Sequence, residues 1–78
     1  MSGPDAAGRW LMWEVRAAAG QVDALLAWAL REAPPDAQVY RSEDRVVVIA
    51  QASSAVLADP PKDLLARPAH SWTFERVR

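Results

Sequence analysis

Four side chains are the candidates for acid–base chemistry in this sequence: Glu14, Glu75, His70 and Tyr40. Glu14 lies in RWLMWEVRA (9–17) and Glu75 in SWTFERV (71–77), and both stretches have the alternation of strands. Carried on one face of neighbouring strands, the two carboxylates would lie within a few ångströms. Such a pair raises the proton affinity of one member and can give and take protons. The competing arrangement pairs each carboxylate with an arginine: Arg16, Arg76, or an arginine of a second chain. His70 falls in the segment RPAHSW (67–72), read as a loop entering the last strand. An imidazole titrates near neutrality, which makes His70 a candidate general base. A lone histidine without a partner in sequence is more commonly a solvated or capping residue. Tyr40 would bring a phenol to the same region. The sequence carries no catalytic motif that assigns a reaction to these groups.

Other chemistries are narrowed by composition. There is no cysteine, so disulfides and thiolate metal sites are excluded, and the single histidine excludes a multi-histidine site. No oxygen cluster suited to a hard cation is found, and no metal or cofactor is expected. Net charge is −1, with nine basic and ten acidic residues interspersed, unlike the clustered basic footprint of a nucleic-acid binder. The RNA-recognition module that shares the βαββαβ order reads bases with aromatics on its central strands. The third strand here is Val46-Val-Val-Ile-Ala50, without an aromatic, and RNA is not an expected partner. No apolar run approaches the length of a membrane span, and residues 1–8 lack the basic and apolar regions of a signal peptide. A cytoplasmic protein is expected. Arginine outnumbers lysine eight to one and asparagine is absent, a bias that suggests a GC-rich bacterial genome.

The elements that must position these groups follow from periodicity. Residues 1–8 have two glycines, a proline and no apolar period, and are expected to form a flexible tail before one domain over 9–78. In the first strand one parity, Leu11, Trp13, Val15 and Ala17, is wholly apolar; the other, Trp10, Met12, Glu14 and Arg16, is mixed. The spacing of Val22, Leu25, Leu26 and Ala29 predicts a helix over 21–33, with Leu30 widening the stripe and Trp28 on its opposite margin. Pro34-Pro35 stops it. Strands are expected over 37–42 and 45–52, joined by a turn at Ser42-Glu-Asp-Arg45. Ser53–Ala58 reads as a helical turn. Asp59 and Pro60 read as the N-cap and first residue of a short or broken second helix that Pro68 ends. Leu64 and Leu65 are expected to dock on the sheet, with Trp28 packed against them.

The order β-α-β-β-(short α)-β is that of the ferredoxin-like split βαβ, an α+β fold with an antiparallel sheet in the order 4-1-3-2. That order puts the apolar strands one and three in the centre. With the wholly apolar parity of strand one against the helix, the open face is expected to carry Trp10, Met12, Glu14, Arg16, Val47, Ile49, Gln51, Thr73, Glu75 and Val77, with Trp72 and Phe74 in the helix-side core. An apolar patch of this size is unusual on a soluble monomer. Two readings of the face stand: a dimer interface filled by side chains, or a cleft whose polar groups orient a small molecule. A chain of 78 residues buries only about 60–65% of the surface its unfolded form exposes, which favours self-association.

Gly20 opening a helix after Trp13-Glu-Val-Arg16, followed by QVYRSEDRVVVIAQ (38–51), resembles the dimeric α+β barrel superfamily, in its antibiotic-biosynthesis-monooxygenase-like branch. The resemblance covers roughly residues 11–52. It implies a homodimer whose two sheets pack face to face into a barrel, with a cofactor-independent monooxygenase as the enzymatic alternative to a binding module. The second helix usual in that family is cut here by Pro60-Pro61, and neither the asparagine nor the histidine that haem-degrading members carry on the sheet is placed here, since there is no asparagine and His70 is read as a loop residue.

Overall fold

The computed structural model describes residues 9–52 and 58–78. The expected tail and most of the expected turn at 53–58 lie outside the described residues. Four strands, β1 (Arg9–Arg16), β2 (Gln38–Arg41), β3 (Arg45–Gln51) and β4 (His70–Glu75), form one antiparallel sheet in the order β2-β3-β1-β4. One helix, α1 (Val22–Glu32), links β1 to β2 across β3, the split βαβ connection.

The core lies between α1 and one sheet face. Trp13, Val15, Val46, Val48 and Ala50 are buried on that face, and Val15 lies opposite Val46 as Trp13 lies opposite Val48. Leu25, Trp28 and Ala29 meet them from the helix. The Trp13 and Trp28 rings stack with centroids 5.9 Å apart. The buried stripe is therefore rotated toward Trp28. Leu30, at about 140° from Leu25 on a helix of 3.6 residues per turn, is 60% exposed and does not widen the stripe. Ala33 turns extended ahead of Pro34, as the clash of a proline ring with the preceding residue requires.

Gly20 makes the turn into α1 with φ +76°, and a Cβ built there would meet nothing within 4 Å. A Gly20→Ala change is thus expected to act through backbone strain alone and to cost about 1–2 kcal/mol, measurable by urea unfolding. A larger loss would point to a contact that open space does not provide.

The second helix is a single 3-10 turn, Lys62–Leu64. Asp59 does not cap it; the preceding residue is Pro61, extended at φ −55°, ψ 135°. A proline disfavours helical geometry in the residue before it, so Pro60-Pro61 forces extended chain where the helix was expected to begin. Leu64 and Leu65 do pack on the core cluster that holds Trp28, and Leu65 bridges to Ala17.

The truncation decides the face of β4. Trp10 lies opposite Phe74, Met12 opposite Trp72, and Glu14 opposite His70. Trp72 and Phe74 therefore share the open face with Trp10 and Met12, and the expected core position is overturned. Thr73 and Glu75 face the helix side, where they are exposed. All six residues of β4 are exposed and none of them belongs to the core cluster under α1, so the helix side gives β4 no core in which to bury a ring. Burial beside Trp10 and Met12 is the better place for the aromatic rings.

Candidate functional site

The open face is built in rows across the strands. One row is Gln38, Ile49, Met12, Trp72; the next is Tyr40, Val47, Glu14, His70. Gln51, Trp10 and Phe74 form a third row beyond Met12, and Arg45 and Arg16 a fourth beyond Glu14. Trp72 is 44% exposed, Phe74 49% and Tyr40 54%, while Trp10, Met12, Val47 and Ile49 are half-buried. Trp10, Met12, Gln38, Ile49 and Phe74, with Leu11, Glu75 and Arg76 at the rim, bound a shallow cleft of about 430 Å³.

The expected positions of Trp10, Met12, Glu14, Val47, Ile49 and Gln51 on this face agree with the structure. Those of Thr73 and Glu75 do not. Glu75 lies opposite Arg9 at the far end of β1 from Glu14 and on the other parity. The carboxylate pair is thus not formed, because the register sets the two groups at opposite ends and on opposite faces of β1. Glu14 instead accepts a hydrogen bond from Arg45 Nη1 at 3.0 Å, a cross-face partner other than the expected Arg16. Arg16 donates from Nε to Asp44 at 3.1 Å.

His70 is the first residue of β4 rather than a loop residue. It is exposed, lies in register with Glu14, and meets Trp72 edge-on with ring centroids 5.9 Å apart. Tyr40 donates its hydroxyl to Gln38 Oε1 at 3.1 Å, on the opposite edge strand from His70. The general-base candidate and the phenol are therefore separated by the width of the sheet. No group of three or more potential metal ligands occurs among the described residues. No helix among them is long and apolar enough to cross a membrane.

The Glu14–Arg45 contact is a surface ion pair, with the Arg45 side chain 46% exposed. Glu14→Gln is expected to change stability by less than about 1 kcal/mol. Chemical denaturation checks this, and a clearly larger loss would reveal a structural role for the carboxylate.

Sequence reasoning missed Trp72, Phe74, Gln38 and Arg45 as members of this face. The signal for the first two was present: with a broken second helix, the strand that helix should cover has no core on that side. No family model matches this chain, and no curated protein or solved structure is significantly similar to it.

Proposed function

We propose that the protein is a homodimeric binding module whose open sheet faces pack together as a dimeric α+β barrel, leaving a cleft for a small apolar molecule between them. The carrying observation is the row structure of the face: Trp72 and Phe74, nearly half exposed, join Trp10, Met12 and Ile49 in one continuous apolar field. An apolar patch of this kind on an isolated chain marks an interaction surface. A second copy is the occupant favoured by charge. The apolar rows are flanked at the hairpin end by arginines and carboxylates together, Arg16 and Arg45 with Glu14 and Asp44. A two-fold axis through the face can therefore set opposite charges against each other, as a self-complementary interface requires. The small core, confined to one side of the sheet, gives the chain a further reason to bury the other side.

Sedimentation equilibrium at micromolar concentration tests this. A mass near twice the 8.6 kDa of the chain supports the dimer, and a strict monomer removes it. The second reading, a cofactor-independent monooxygenase-like enzyme of the bacterial cytoplasm, rests on the cleft beside Trp10, Met12 and Phe74. The separation of Tyr40 from His70 and the engagement of Glu14 by Arg45 favour binding over catalysis.

A further inference from the structure

A second cleft, of about 160 Å³, lies at the hairpin end of the sheet and differs in character from the apolar field. Glu14, Arg16, Arg45, Arg67, Pro68 and His70 line it. Arg16 and Arg45 lie directly opposite each other on β1 and β3. Like charges so placed oppose pairing unless something between them compensates. Asp44 and Glu14 do so in part: Asp44 accepts from Arg16, and Glu14 accepts from Arg45. Both guanidinium groups are thereby held in place along the wall. Arg67 enters the same cleft from the segment before β4 and has no carboxylate partner among the described residues. Three guanidinium groups against two carboxylates leave one positive charge. The volume equals that of roughly five liquid waters at about 30 Å³ each, room for a compact anionic group.

We propose that this cleft binds a small oxyanion, the phosphate or carboxylate group of a ligand. The planar fork of arginine matches two oxygens of such a group at once, and the fixed positions of Arg16 and Arg45 reduce the ordering that binding requires. Arg67 supplies the uncommitted donors. The proposal does not require the sheet face to be a dimer interface, since every residue that lines the cleft belongs to a single chain.

The test is a titration of the full chain followed by NMR, with inorganic phosphate in one arm and acetate in another, each compared with sodium chloride at equal ionic strength. Saturable shifts centred on Arg16, Arg45, Arg67 and His70 are expected, and tighter binding of one anion names the group that the ligand carries. Arg67→Ala, at an exposed position outside the core, is expected to keep the amide spectrum of the fold and to weaken binding about tenfold, the loss of one charge-assisted contact. Arg31→Ala, in the last turn of α1, is expected to bind as the native chain does. Shifts that do not saturate, that chloride reproduces, or that survive Arg67→Ala unchanged would overturn the proposal. A chain that binds phosphate as a monomer would sustain it while removing the dimer.

Discussion

Trp72→Glu is expected to sediment as a monomer at concentrations where the native chain is a dimer. Trp72 stands at the end of the row that Gln38, Ile49 and Met12 begin, and its ring is 44% exposed in the single chain. Its packing within the chain is therefore incomplete, and the unburied part is what a second copy would cover. Truncating a buried aromatic at the centre of an interface costs about 2–4 kcal/mol. A two-fold interface counts that loss twice, and the glutamate adds an unpaired charge to an apolar field. The dissociation constant should rise by about a thousandfold or more. Leu30→Glu is the control: Leu30 is also a large apolar residue and is more exposed, but it lies on the outer side of α1, away from the sheet face. It should leave the dimer intact. Circular dichroism and the amide spectrum should show both variants folded. A Trp72→Glu chain that is folded and still dimeric would place the interface elsewhere, and β4, an edge strand whose six residues are all exposed, would be the surface to examine.

The central sheet was legible in the sequence because its signals are strong and mutually consistent. Val46–Ala50 is apolar on both parities, so it had to lie inside the sheet, and the first strand has one wholly apolar parity that had to meet the helix. The order β2-β3-β1-β4 follows from those two facts and the split connection. The orientation of β4 was not legible in the same way. Alternation in SWTFE shows that Trp72 and Phe74 share a face, but period two is silent on which face it is. That choice is made by a register with β1 and by the absence of helix cover, both of them long-range. The failure of the carboxylate pair is long-range too, since the register sets Glu14 and Glu75 at opposite ends of β1 as well as on opposite faces. The polar cleft was hidden for a related reason. Arg16, Arg45 and Arg67 are far apart in sequence, and each looks like an ordinary solvated arginine until pairing of β1 with both β3 and β4 brings them to one end of the sheet.

Trp28→Ala is expected to cost about 3–5 kcal/mol and to lower the melting temperature by more than about 12 °C. Trp28 is only 8% exposed and its ring stacks on Trp13, the largest side chain that β1 commits to the core. Leu64 and Leu65 pack against the same cluster, beside the backbone hydrogen bonds from Ala18 N–H to Leu64 O and from Ala66 N–H to Arg16 O that tie the 3-10 turn to the end of β1. Removing the indole thus opens a cavity bounded by the sheet, the helix and the 3-10 turn together. A domain of this length has a total stability of about 4–12 kcal/mol, so the substitution takes about a quarter of it at the least. Association into the proposed dimer would add stability that depends on protein concentration. The measurement is therefore made in the Trp72→Glu background as well as in the native chain. Trp28 and Trp72 lie on opposite sides of the sheet and share no partner among the described residues, so their effects should add. A loss that is the same in both backgrounds assigns Trp28 to the fold alone. A loss much smaller in the monomeric background would show that the helix-side core depends on what covers the open face.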